Sequence, residues 1–294
     1  MMLNPIAADT YKTDDAYLMG TYTPQPIYFS KGKGCWLTSD DGIDYLDAIS
    51  GIAVTNLGHT HAAINAALVE QTNKLWHVSN TVHIQQQQLL GEKLCHLANM
   101  DNAFFCNSGA EANETALKLA RLHGHKKGIK NPLVIVMSGA FHGRTLAMLS
   151  ATDSPNARHG FGPLVEGFLE LPFNDMNALD HLGEKKTDIV AVLIEPIQGE
   201  SGVRIASPEY LNKLSTMCSD NDWLLMLDEI QSGIGRTGSW FSYQNFNLKP
   251  DIITLAKALG NGFPIGACLA SGKAASLFTP GSHGSTFTGI NYER

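Results

Sequence analysis

Short, nearly unbroken apolar runs punctuate the chain: "NAFFC" (102–106), "PLVIVM" (132–137), "DIVAVLIE" (188–195), "WLLMLDE" (223–229) and "DIITLA" (251–256). A strand without polar alternation is covered on both faces, as in a parallel sheet enclosed by helices. Helical periodicity fills the intervals, in "ANETALKLARLHG" (112–124) and in "SPEYLNKLSTMCSDN" (207–221), where Ser207 supplies a cap. "HIQQQQLLGEKLCHLA" (83–98) reads as a further helix with its glutamines on the polar side. This alternation predicts a doubly wound α/β body. Residues 1–60 follow another rhythm, with the turn signals "KGKG" and "SDDG" between the β-prone pieces "CWLT" and "IDYLDA". The division expected is therefore a smaller unit over 1–60 and a large domain over 61–294.

Composition narrows the partners. A chain of 294 residues can bury a sizeable core, and a formal charge of -7 gives no basic footprint for nucleic acid or an anionic membrane. The five cysteines are widely spaced with no C-x-x-C pair, which argues against a disulfide scaffold or structural zinc and for reduced, mostly buried thiols. The first twenty residues lack a signal-peptide pattern, and no apolar stretch reaches membrane-spanning length. A cytoplasmic protein acting on small molecules is expected.

In an open parallel sheet, ligands bind beyond the carboxyl ends of the strands. The unusual residues fall there. After "AFFC", Ser108 can cap a helix with Glu111 completing an S-x-x-E capping box, while the small Gly109 and Ala110 leave amides open to an anion. The same text also describes an ordinary helix start. Asp228 ends the run "WLLML", a pattern shared with the second nucleotide motif of P-loop ATPases. That reading needs a Gly-rich Lys loop upstream, and the nearest text, "GACLASGKA" (266–274), is one residue too long and lies downstream. Lys257 follows "IITLA" directly, so it is either a snorkelling cation or a buried amine, whose pKa would fall and make it a nucleophile. Pyridoxal phosphate requires a phosphate cup, a carboxylate that keeps its pyridine nitrogen protonated, and a lysine for covalent attachment. Ser108 with Gly109 and Ala110, then Asp228, then Lys257 supply one of each.

With those residues in place, the chain resembles the class III, fold type I pyridoxal-phosphate aminotransferases. Among them it is most similar to those acting on acetylornithine in arginine biosynthesis. The stretches that carry the resemblance are "SGIAVTNLGHTH", "LWHVSN", "FFCNSGAEANETALKLAR", "AFHGRTLAMLSAT", "IEPIQGESGV", "LMLDEIQSGIGRTG", "PDIITLAKALGNGFPIGA" and "PGSHGSTF". The resemblance implies a mostly parallel large-domain sheet with helices on both faces, plus a small α+β domain. It implies that Lys257 bonds to the cofactor and shuttles the proton between Cα and C4′, that Asp228 pairs with the ring nitrogen, and that Gln231 bonds the phenolic oxygen. Phe141 would stack on the ring, Ser108, Gly109 and Ala110 would hold the phosphate, and Glu195 would lie near the cofactor. Thr286 would reach the phosphate of a second subunit, implying a homodimer with shared sites. Arg144 would bind the α-carboxylate of N²-acetyl-L-ornithine, with Ser285 in the same substrate set and Glu200 neutralising a second substrate arginine. The second substrate would be 2-oxoglutarate. Succinylornithine, ornithine or 4-aminobutyrate are alternative amino donors. His59, His61 and His142 are read as loop-ordering residues rather than ligands.

Members of that family continue after "GST(Y/F)" with "GGNPLA", whereas here the text reads "TFTGINYER". The expectation is that the closing part of the small domain, with the second arginine, is absent; the chain is then read either as an aminotransferase or, alternatively, as a catalytically impaired chain that binds the cofactor or merely dimerises.

Overall fold

The computed structural model describes residues 17–182 and 187–287. Its first three strands, β1 (Phe29–Lys33), β2 (Trp36–Ser39) and β3 (Asp44–Leu46), form an antiparallel sheet of their own. "KGKG" and "SDDG" fall at its two turns, because Gly34 and Gly42 take the positive φ that tight reversals demand. Asp47 locks the exit from β3. Its carboxylate accepts the Ser50 N–H at 2.7 Å and meets His59 Nε2 at 2.7 Å, so one "GHTH" histidine braces a loop as expected.

The five apolar runs become β4 (Asn102–Cys106), β5 (Leu133–Met137), β7 (Ile189–Ile194), β10 (Leu224–Asp228) and β11 (Ile252–Leu255). Two strands outside the predicted set join them, β6 (Phe168–Leu171) and β12 (Gly266–Ala270), and a two-residue hairpin pair, β8 (Ile197–Gln198) and β9 (Arg204–Ile205), stands apart. The order across the large sheet is β4-β12-β11-β10-β7-β5-β6. β12 runs antiparallel to both of its neighbours, and every other pairing is parallel. All six residues of β7 are buried, the consequence of lying centrally with helices above and below. Each such aliphatic side chain contributes about 1.5–3 kcal/mol by leaving water.

Two apolar layers cover the sheet. One joins Trp223, Tyr210 and Leu214 to Ile135, Ile194 and Leu227, and the other joins Ala116, Leu117 and Ala120 to Val134, Leu193 and Met226. The second layer is built by the helix Gly109–Lys126, whose buried positions Asn113, Ala116, Leu117, Ala120 and Gly124 follow helical spacing. Small residues on that stripe let the helix lie close to the sheet. Gly266 on β12 serves the same closeness, since a Cβ there would stand 2.3 Å from the Ser108 carbonyl oxygen. The first turn of the helix is thereby held over the carboxyl ends of β11 and β10. The helix Pro208–Asp220 covers the other face, with Ser207 Oγ accepting the Tyr210 N–H at 3.1 Å as the sequence predicts.

Candidate active site

A cavity of about 450 Å³ opens where the carboxyl ends of β10 and β11 meet the first turn of the helix Gly109–Lys126. Ser108, Gly109, Ala110, Phe141, Arg144, Glu195, Glu200, Asp228, Gln231 and Lys257 all line it. Ten residues scattered over 150 positions of sequence thus converge on one space.

The helix start differs in detail from a capping box. Ser108 Oγ accepts the Glu111 N–H at 3.2 Å, but the Glu111 carboxylate reaches back past Ser108 to the Asn107 N–H at 2.6 Å. The amides of Gly109 and Ala110, in the first turn, have no carbonyl one turn earlier to bond and face the positive end of the helix dipole. Gly109 leaves room for the Ile230 side chain, which a Cβ would meet at 2.8 Å and force to shift.

Strand geometry separates the adjacent acids at the end of β10. Asp228 is 4% exposed and lines the cavity. Its Oδ2 accepts from Asn113 Nδ2 and His142 Nδ1, both at 2.8 Å, and its Oδ1 accepts the Ile230 N–H at 3.0 Å. Glu229 points the other way and is consumed by Ser232 Oγ, Ser242 Oγ and the N–H groups of Ser242 and Tyr243, at 2.6–2.9 Å. Burial raises the Glu229 pKa against those donors, and the residue serves as a brace for the turn that carries Ile230 and Gln231.

Lys257 opens a 3-10 turn directly after β11 with φ of +45°, a left-handed conformation that a lysine adopts at a cost. Burial depresses its amine below the ordinary 10.5, against the opposing pull of Glu200, Asp228 and Glu195. Between the two sequence alternatives, Lys257 is half-buried in the cavity and its amine is depressed, closer to the buried amine than to a snorkelling cation. Glu195 accepts the Phe141 N–H at 3.1 Å, and burial pushes its carboxyl up to about 8. Arg144 is exposed at the rim, its guanidinium 5.5 Å from the centre of the Phe141 ring. Gln231 Nε2 approaches Glu200 Oε1 at 3.4 Å.

Ser285 and Thr286 are not among the residues lining this cavity. Ser285 lines a second cleft, where Asn80 Nδ2 donates to its carbonyl at 2.9 Å, and the next residue, Thr286, is exposed. His283 pins this segment to the helix Gly109–Lys126: Lys118 Nζ donates to its Nδ1 at 2.8 Å, and its Nε2–H reaches Thr115 Oγ1 at 3.0 Å. The sequence "TGINYER" lies outside the described residues. Burial and the Lys118 charge hold His283 below its ordinary 6.5. A base with a depressed folded pKa adds stability that is complete above the unfolded value and lost as the pH falls through the folded one. Acidification below about pH 6.5 is therefore expected to loosen residues 279–287, read as faster amide exchange there than in β10.

The structure brings three further residues to the site. His142, read above as a loop residue, bonds Asp228 itself, and Asn113 and Thr254 stand behind it. Burial alone would lower the His142 imidazole, yet the hydrogen bond to Asp228 and the charges of Asp228 and Glu195 together raise it.

The residues present fit pyridoxal phosphate. Anion-seeking amides, an acceptor carboxylate, a ring-facing Phe141 and a depressed lysine share one cavity, and the buried His142 Nε2 has no partner in the protein, as expected of a polar wall facing a polar ligand. The fold and this site define a fold type I pyridoxal-phosphate enzyme. The family model for class-III aminotransferases matches residues 18–291, and the chain belongs to that family, whose members depend on pyridoxal phosphate. It is 52% identical over 274 residues to an acetylornithine aminotransferase of Nitrosomonas europaea, covering 93% of this chain and 70% of that one. An acetylornithine aminotransferase of Bordetella parapertussis is 47% identical, over 92% of this chain and 69% of its own length. Among solved structures, an ornithine aminotransferase of Toxoplasma gondii superposes with a TM-score of 0.90 at 32% identity, over 95% of this chain and 67% of that one. An N-acetylornithine aminotransferase of Stenotrophomonas maltophilia does so with a TM-score of 0.77 at 37% identity, over 91% of this chain and 66% of that one. Among the described residues, no helix is long and apolar enough to cross a membrane.

Proposed function

We propose that the chain moves the terminal amino group of N²-acetyl-L-ornithine to 2-oxoglutarate in arginine biosynthesis, in the cytoplasm, by a two-stage exchange in one site. The observation that carries this reading is the placing of Arg144, Lys257 and Asp228 around a single cavity in a chain so similar to acetylornithine aminotransferases. Pyridoxal phosphate, when bound, supplies a ring that takes up the electron pair freed at the substrate carbon. Ser108, Gly109 and Ala110 are assigned to its phosphate, Phe141 to its face, Gln231 to its phenolic oxygen and Asp228 to its nitrogen. Lys257 would hold it covalently at rest, then accept the proton released from the amine-bearing carbon and deliver it to C4′ of the cofactor. Arg144 offers a planar two-point donor to the substrate carboxylate. Glu195 and Glu200 complete the polar wall, with Glu200 beside Gln231 at 3.4 Å.

The homodimer belongs to the same reading. Trp76, Val82 and Phe287 expose large apolar side chains, Val82 at the second cleft, which supports pairing with a second copy whose phosphate Thr286 would reach, with Ser285 in the substrate set. The division at residue 60 is also proposed, supported by the separate pairing of β1 to β3.

Ornithine is the second reading, because the ornithine aminotransferase of Toxoplasma gondii superposes with a higher TM-score than the acetylornithine enzyme of Stenotrophomonas maltophilia. The test measures each half reaction separately with acetylornithine, ornithine and 2-oxoglutarate, alongside light scattering. Acetylornithine is expected to convert the cofactor at least about tenfold faster than ornithine, a difference of about 1.4 kcal/mol in transition-state binding. The reverse order would assign the ornithine reading.

A further inference from the structure

Behind Asp228 lie two polar residues, Asn113 and Thr254, that do not themselves line the cavity. β10 and β11 pair in parallel with Asp228 opposite Thr254, so the two side chains share one face of the sheet. Asn113, in the second turn of the helix lying over that face, completes a triangle with them. Thr254 Oγ1 donates to Asn113 Oδ1 at 2.7 Å, and Asn113 Nδ2 donates to the His142 carbonyl at 2.9 Å and to Asp228 Oδ2 at 2.8 Å. Thr254 and Asn113 are both 0% exposed. No water competes for these bonds.

An amide can rotate by half a turn, exchanging its oxygen for its NH₂ at little cost in shape. In the flipped form the Asn113 oxygen would face the Asp228 carboxylate and the His142 carbonyl, three acceptors with no proton among them. Those two acceptors set which way the amide faces, and the Thr254 hydroxyl, bonded to the amide oxygen at 2.7 Å, holds the amide in place from the other side. The carboxylate in turn depends on the amide, since Oδ2 is held from two sides while Oδ1 keeps a lone pair toward the cavity.

We propose that Thr254 and Asn113 are positioning residues for the reaction: Thr254 anchors the Asn113 amide through its oxygen, and Asn113 holds the Asp228 carboxylate in the orientation that meets the cofactor's ring nitrogen. The inference rests on the assignment of Asp228 under the proposed function. It assigns a task to two residues that contact neither cofactor nor substrate. A hydroxyl and an amide so deeply buried could otherwise be replaced by apolar groups of equal shape at little cost.

The test uses Thr254→Val, which keeps the shape and removes the hydroxyl, with Thr254→Ser as the conservative rescue. The readouts are the dissociation constant of pyridoxal phosphate, followed by its absorbance, and the thermal midpoint, measured in the wild-type chain and in an Asp228→Ala background. Thr254→Val is expected to weaken cofactor binding about tenfold, as the loss of one buried hydrogen bond corresponds to. Thr254→Ser should recover most of that affinity, and Thr254→Val should add nothing once Asp228 is gone. An equal loss in the Asp228→Ala background would overturn the proposal, since the effect would then run through the fold, and so would an unchanged affinity in Thr254→Val. Should Asp228→Ala itself leave affinity unchanged, the assignment of Asp228 fails first, and the inference falls with it.

Discussion

Replacing Lys257 by alanine is expected to lower turnover by about 10⁴-fold or more, the scale of losing a positioned proton carrier together with a covalent nucleophile. The cause lies in the environment of the amine. Burial depresses its pKa, so a larger share is uncharged at neutral pH than for a lysine in water, and only the uncharged form carries a lone pair. Three acidic groups, Glu200, Asp228 and Glu195, pull the other way and offset part of that depression. Cofactor affinity should fall far less than turnover, because the helix N-terminus and Asp228 remain. The check is the ratio of bound pyridoxal phosphate to protein alongside turnover, with Lys257→Arg as a variant that keeps the charge and loses the nucleophile. Wild-type turnover in Lys257→Ala would remove the amine from the mechanism altogether. Loss of bound cofactor in step with turnover would reduce its role to binding.

That lysine was legible in the sequence for a physical reason. A charged residue directly after a run of buried aliphatics has nowhere to go except the end of a strand, and the ends of parallel strands are where ligands sit. Asp228 announced itself in the same way. β7, β10 and β11 were legible because burial on both faces leaves an unbroken apolar run, whereas β6 is an edge strand whose Glu170 faces solvent. β12, "GACLA", was hidden by its small side chains, which the helix Gly109–Lys126 needs in order to approach. The supporting residues behind the site left a quieter signal. Asn113 occupies the helical stripe shared by Ala116 and Ala120, and Thr254 interrupts "IITLA". A polar residue where the period demands an apolar one is a buried hydrogen-bonding group, but its partner lies 141 positions away and only the fold supplies it. His142 was underread for the same reason, since its bond to Asp228 spans 86 positions.

Asp228 carries the second large effect. Asp228→Ala should reduce turnover by about 10³-fold, as expected when a buried charge aimed at the reacting system is removed. The alanine would also leave the Asn113 amide, the His142 Nδ1–H and the Ile230 N–H directed at an emptied site, each unmet donor costing about 1–3 kcal/mol. A drop in the thermal midpoint is therefore expected with the alanine and does not by itself speak to catalysis. Asp228→Asn separates the two effects. Its amide oxygen can take the Oδ2 position and keep the Asn113 and His142 bonds, which leaves NH₂ in the Oδ1 position facing the Ile230 N–H and the cavity. Shape is retained while the group facing the ring nitrogen changes from acceptor to donor, so the nitrogen can no longer be held protonated. Turnover should fall by about 10²-fold or more with the thermal midpoint lowered far less than in the alanine variant. The absorbance of bound cofactor should shift its pH dependence in the asparagine variant relative to wild type. Near wild-type turnover in Asp228→Asn at saturating cofactor would show that the carboxylate's charge is dispensable, and the ring nitrogen would then need another partner.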